Sequence, residues 1–361
     1  MASFDQTSTK ARRPGGFLRP RNLVPAAFLL LFALAPQTLR DDYYLQVLIM
    51  ILFSAYMASA WNLVCGYAGQ LSLGHAALVG IGGYVSTLIF IDLHLTPWIG
   101  MFAGAGVAVV VGVAIGYPCF RLRGPYFALT TIALAEVLRI WVENTDKVFG
   151  VEIKAAMGLL IPLRGDAPLL FQFTDKAHYY YVILVMLLIV VYVTHRMQES
   201  KVGFYLAAIR SDQDAAEAIG INATKFKLIA IALSAFFTAL GGSYYAQLFL
   251  YVNPGRILGI DLSVEMALTA IVGGQATVFG PVLGAFLLTP AAEFTRAVFG
   301  GRYAGVHLIL YGLVLVLAIY YMPKGINGLL GRWYCRFIDR LEERTSASTM
   351  ESASEVKHGH S

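Results

Sequence analysis

The sequence predicts an all-α, polytopic membrane protein with about ten transmembrane segments. Two observations carry that prediction. Of 361 residues, 58% are hydrophobic and 14% charged, and the mean hydropathy is +0.65, whereas a soluble domain carries roughly 25% charged residues. The apolar residues also run without interruption for the roughly 17 to 25 positions that cross a hydrocarbon core of about 30 Å. Continuous runs read as helices, because barrel strands alternate.

The first run, 22–39, follows a basic segment, 1–21, that carries Lys10, Arg12, Arg13, Arg19 and Arg21. "ALA" at 33–35 resembles a signal-peptide cleavage site, but Pro36 sits where cleavage would expose it, so the run reads as a retained span. Further runs fall at 43–65, 69–91, 97–118, 125–143, 178–195 and 226–250. The stretch 263–297 is too long for one span and is broken by "GGQATVFGPVLG", where Pro281 lacks a backbone donor. Two short helices or a re-entrant pair are expected there. A last run, 303–322, precedes a basic and Ser-rich tail, 323–361. The membrane-spanning body is thus expected over 22–322.

Lysine and arginine orient these spans. Arg121 and Arg123 follow the fourth run, and Arg196, Lys201, Arg210, Lys225 and Lys227 follow the sixth. The opposite loops are short or charge-balanced, as in "LRDDYY" and in 144–177. Both termini and the loop 199–227 are therefore expected in the cytoplasm, and 144–177 outside it. The net charge of +5 reads as topology, not as a nucleic-acid footprint. Cys65, Cys119 and Cys335 lie far apart, so neither a disulfide framework nor a metal site is indicated.

Residues 66–84, "GYAGQLSLGHAALVGIGGY", place small residues on one helical stripe: Gly69, Ser72, Ala76, Gly80, Gly83 and Thr87. Small residues let helix backbones approach in lipid, so the stripe predicts packing. Gly66, Gly69 and Gly74 crowd its cytoplasmic start and predict local unwinding. A second cluster, Gly273, Gly274, Gly280 and Gly284, repeats the theme. The polar residues Asn62, Gln70, Ser72, His75, Tyr126, Thr130, Gln247 and Gln275 are candidates for a translocation path. Each also has a structural reading as an interhelical or intrahelical bond. Glu136 and Glu265 join them as intramembrane carboxylates, with Arg139 placed to pair with Glu136.

The loop 199–227 is the most informative. Ser211 and Asp212 are N-cap types, Asp214 and Glu217 suit a helix start, and Gly220 suits a C-terminal cap. A short helix at 212–219 follows, with Ala215, Ala216 and Ala218 forming a thin surface for a protein groove. Its acidic character disfavours a helix lying on lipid.

"DAAEAIG" resembles the E-A-A-x-x-x-G coupling loop of ABC importer permeases, with Asp214 in the Glu position and Ala215, Ala216 and Gly220 matching. In the same order, "GYAGQLSLGHAALVGIGGY", "GPYFALTTIALAEVLR", "AIRSDQDAAEAIGIN" and "IVGGQATVFGPVLGAF" are similar to the LivM-type permeases of branched-chain amino acid importers. The likeness runs from residue 43 to residue 330. It implies an ABC importer permease fold in the bacterial inner membrane, a sister permease subunit, two cytoplasmic ATPase subunits and a periplasmic substrate-binding protein. Arg210, Asp212, Asp214, Ala215, Ala216, Glu217 and Gly220 are then the expected ATPase contacts. The substrate class implied is Leu, Ile and Val, with urea and short-chain amides as the neighbouring alternative. The usual Leu-Pro after the coupling motif is replaced by "IAIALS", and in the outer loop only Gly158 and Leu159 match the family pattern.

No G-x-x-x-x-G-K-[ST] occurs, so ATP is expected on the partner subunits and no cofactor on this chain. An ion-coupled carrier remains the rival and would use Glu136 or Glu265 as its titrating group.

Overall fold

The computed structural model describes residues 41–122, 124–148, 151–152 and 157–299, with isolated positions at 32, 36, 37, 312, 313, 316, 320, 325 and 326. The expected spans 22–39 and 303–322, the basic segment 1–21 and the tail 323–361 lie largely or wholly outside the described residues. The chain divides into two units, 41–334 and 1–40 with 335–361; of the latter, positions 32, 36 and 37 are described and helical. All that follows concerns the first unit.

Among the described residues, six helices are long and apolar enough to cross a membrane. They are α1 (Asp42–Cys65), α2 (His75–Asp92), α3 (Pro97–Cys119), α4 (Pro125–Glu143), α5 (Lys176–Gln198) and α8 (Ala223–Phe249). Between α5 and α8 lie two shorter helices, α6 (Lys201–Ser211) and α7 (Gln213–Ala218). The short α9 (Pro254–Ile257) precedes α10 (Ile260–Gly273) and α11 (Gly280–Phe299), separated by a break at 274–279. That break is where the sequence places it. At 1.5 Å per residue, α10 is about 21 Å long, less than the hydrocarbon thickness of about 30 Å.

Local chemistry sets the ends. Proline opens α3 and α4, where its missing donor costs nothing. Asp175 caps α5 by accepting from Ala177 N at 2.8 Å, and Asn222 caps α8 by accepting from Lys225 N at 2.9 Å.

Helices α2, α3 and α8 pack against one another, and α1 packs against α5, α8, α10 and α11. Trp61, Tyr56 and Tyr244 are fully buried. Small residues permit this closeness. A Cβ on Gly82 would run into the α8 backbone at Ala239, so no larger residue fits between α2 and α8 there, whereas one on Gly83 would meet the side-chain tip of Ile257 at 2.7 Å. Gly80 meets Leu258 in the same way, and Gly273 and Gly284 bring α10 and α11 backbone to backbone.

One expectation is corrected. The stripe begins at Ala76, not Gly69, because α2 starts at His75 and 66–74 are non-helical. Gly69 has φ +68°, which no α-helix accommodates, and Ser72 N turns to Cys65 Sγ at 3.2 Å. Leu73 N donates to Thr131 Oγ1 at 3.2 Å, so side chains replace the missing helical acceptors. The expected unwinding at Gly66, Gly69 and Gly74 thus extends over the whole segment.

The loop between α4 and α5 includes, among its described residues, three short strands, one of which joins the chain just after α8. Its β1 (Lys147–Val148) pairs antiparallel with β2 (Val151–Glu152). Its β3 (Leu159–Leu160) pairs antiparallel with β4 (Tyr251–Val252), just after α8. Gln172 is buried, accepting from Arg164 N and donating to Pro162 O, both at 2.9 Å. Trp98 donates to Pro168 O at 2.8 Å and packs on Phe171 with ring centroids 4.5 Å apart.

Candidate functional site

The loop 199–227 folds as two helices set end to end. Ser200 caps α6 through Gly203 N at 3.4 Å, and Asp212 caps α7 through Ala215 N at 3.1 Å. Gly220, with φ +89°, closes α7, and Ile221 N returns to Ala216 O at 3.1 Å. Asp214, Ala215, Glu217, Ala218, Ile219 and Gly220 are exposed. Ala216 is not: it is buried with Ile209 and Ala223, beside Phe226 and Ile221. The outward alanine surface is therefore Ala215 and Ala218, and Ala216 anchors the helix instead. Ile219, 77% exposed, adds an apolar tip that the sequence reading missed.

A polar chain ties α7 to the foot of α8. Lys227, 1% exposed, donates from Nζ to Gln213 Oε1 at 2.7 Å and lies 5.9 Å from the centroid of the Phe120 ring. Gln213 Nε2 in turn donates to Glu217 Oε1 at 2.9 Å. Lys227 reads from sequence as a topology charge, and nothing in the sequence singles out Gln213; only packing reveals them as partners.

The same loop touches the unwound segment. A Cβ on Gly69 would stand 2.9 Å from Arg210 Cγ. Tyr67, Gln198, Gly203, Arg210 and Ala276 line one cleft of about 680 Å³, so the unwound segment, α6 and the break at 274–279 meet there. Burial pushes the Tyr67 phenol above its usual range, which keeps it neutral at 3.4 Å from Gln198 Oε1.

Asn62 holds the break from the other side. Its Oδ1 accepts from Ala276 N and its Nδ2 donates to Thr277 O, both at 3.0 Å. Gln70 and Gln275 are half-buried nearby in sequence to these turns.

His75 and Gln247 are fully buried on the seam between α2 and α8. His75 Nε2 meets Ser234 Oγ at 2.9 Å, and Ser234 Oγ donates to Ala60 O at 2.7 Å. Ser263 Oγ accepts from Ala76 N at 2.8 Å, Trp61 Nε1 donates to Ser72 O at 2.8 Å, and Ser243 Oγ to Gly82 O at 3.0 Å. Among the described residues, His75 Nδ1, Tyr84 Oη, Thr87 Oγ1, Thr238 Oγ1 and both amide atoms of Gln247 are buried without a hydrogen-bond partner.

The remaining candidates lie apart from that seam. Tyr126 is 70% exposed on α4, where Thr130 Oγ1 donates back to Tyr126 O at 2.8 Å. Glu136 pairs with Arg139, as its spacing predicts, and Arg139 reaches Glu143 at 2.6 Å. Glu265 is exposed on α10. The ten path candidates thus fall in four places: the break with Asn62 and Gln275, the unwound segment with Gln70 and Ser72, the α2–α8 seam with His75 and Gln247, and the faces of α4 and α10 that bear Tyr126, Thr130, Glu136 and Glu265.

Residues 43–319 match the family described as branched-chain amino acid transport system, permease component. Over 283 residues the chain is 24% identical to the high-affinity branched-chain amino acid transport system permease protein LivM of Escherichia coli (strain K12), covering 73% of this chain. The match spans 65% of that relative's own length. Over 308 residues it is 26% identical to the permease protein BraD of Pseudomonas aeruginosa, named for the same kind of system, covering 79% of this chain and 96% of BraD. A solved chain of PsaBC from Streptococcus pneumoniae in complex with Fab covers 83% of this chain at 12% identity, with a TM-score of 0.43, too distant to carry an argument.

Proposed function

This chain belongs to the permease family of branched-chain amino acid transport systems, and from that premise we propose that it forms half of the translocation path of an ATP-driven importer for Leu, Ile and Val. It is a multi-pass membrane permease component and not itself an ATPase. The proposed assembly adds a sister permease, two cytoplasmic ATPases and a periplasmic binding protein, in the bacterial inner membrane.

One observation carries the reading. Helix α7 presents Asp214, Ala215 and Glu217 outward while Gln213 grips Lys227 at the foot of α8. A partner closing on α7 would pull on α8 directly, and α8 packs against α1, α2 and α3. ATPase closure would so rock the bundle between inward-open and outward-open states.

The path is proposed along the outward face of α4. Of the six spans α4 is the least buried, 22% of its apolar window, yet it bears Tyr126, Thr130 and the Glu136–Arg139–Glu143 cluster. Charged groups facing lipid are costly, so a sister permease and a wetted path between the two subunits suit this face. Arg139 is shared by Glu136 and Glu143, so the cluster keeps one net negative charge beside its own cation while the rest of α4 is uncharged, which suits a zwitterion with an apolar side chain.

Reconstitution with the partner subunits, followed by uptake of Leu, Ile, Val and urea, tests the proposal. ATP-dependent accumulation of the three amino acids supports it. Uptake that follows an ion gradient without ATP contradicts the mechanism, and uptake of urea alone contradicts the substrate.

A further inference from the structure

A second cleft, of about 650 Å³, opens between the cytoplasmic end of α3 and the start of α8. Its polar rim holds Arg121 and Lys225, both exposed, with Asn222 beside them. Arg121 lies over the Tyr117 ring, 5.7 Å from its centroid, which holds the guanidinium at the rim. Among the described residues neither Arg121 nor Lys225 is in an ion pair. Below the rim the walls turn apolar, through Leu228 and Ile229, and end at Ala232.

Depth identifies the occupant. From the cap residue Asn222 to Ala232 is ten positions, about 15 Å of helix, which is half of a hydrocarbon core of about 30 Å. The cleft is thus cationic at the membrane surface and apolar through one leaflet. A soluble anion would use the rim and leave the apolar wall wet, whereas a glycerophospholipid matches both. We propose that this cleft binds an anionic glycerophospholipid of the inner leaflet, its phosphate between Arg121 and Lys225 and an acyl chain along Leu228 and Ile229. Basic recesses between helices on the cytoplasmic side suit such headgroups. The proposal takes from the import reading only the orientation of the cleft, and its test does not involve uptake.

The test is lipid retention on the full-length chain in neutral detergent, counted by native mass spectrometry after addition of phosphatidylglycerol or phosphatidylcholine. Two surface cations predict retention of phosphatidylglycerol over phosphatidylcholine by about thirtyfold. The double variant R121A/K225A should abolish the preference, and R196A/K201A, which removes equal charge from the same side, should keep it. Charge-conserving R121K/K225R should also keep it, which separates lost binding from lost folding. Equal preference in R121A/K225A and the unmodified chain would overturn the proposal, as would displacement of the lipid by millimolar inorganic phosphate.

Discussion

Lys227 Nζ lies 2.7 Å from Gln213 Oε1, which joins the buried foot of α8 to the exposed helix α7 by a charge-assisted bond. The contact bridges two elements that the chain itself links only through the turn at Gly220. Gln213→Ala should cost about 2 kcal/mol, because a buried ammonium loses an acceptor. Lys227→Met removes the ammonium together with its bond to Gln213, so uptake per ATP hydrolysed should fall more than ATPase binding does. Comparing ATPase co-purification with coupled uptake checks this, and Lys227→Arg should restore part of the coupling.

Gly69 and Arg210 form the second link between the loop and the bundle. Gly69→Ala places a Cβ 2.9 Å from Arg210 Cγ at a φ of +68°. The backbone conformation alone costs about 1 kcal/mol. Thermal unfolding of Gly69→Ala should show that loss, and Arg210→Ala in the same chain should return only the steric part.

Asn62 offers a sharper discrimination, because it uses its amide as both donor and acceptor. Asn62→Asp keeps the acceptor for Ala276 N and loses the donor to Thr277 O; Asn62→Leu loses both. Stability should fall in the order Asn, Asp, Leu, with about 1 to 3 kcal/mol for each buried group left unpaired. Limited proteolysis at 274–279 reads the same order as faster cleavage.

On the α2–α8 seam, a double-mutant cycle on His75→Ala and Ser234→Ala should give a coupling of about 0.6 to 1.7 kcal/mol, the range for interhelical bonds in membranes. A cycle near zero would assign His75 to the path and not to packing.

Elements whose signal is local were legible in the sequence. The run 125–143 is α4 to the residue, 43–65 is α1 within one position, and the caps at Asp212 and Gly220 bound α7 as their chemistry predicts. What could not be read depends on distant partners. His75 and Ser234 are 159 positions apart, and β3 meets β4 across the whole of α5 to α8. Ala216 looks like Ala215 in sequence and differs only in what packs on it. The 66–74 segment carried a partial signal in its glycines, but the helix-like spacing of Gly69 and Ser72 hid the side-chain bonds that hold it open.

The proposed coupling role of α7 is tested most directly by ATP-driven uptake of labelled leucine into proteoliposomes holding the full assembly with Ala215→Arg. Ala215 is exposed, so the change spares the fold, and a long cation there blocks a close-fitting groove. The account predicts loss of both ATPase co-purification and uptake, with Ala215→Ser retaining both. Undiminished uptake by the Ala215→Arg assembly would contradict it.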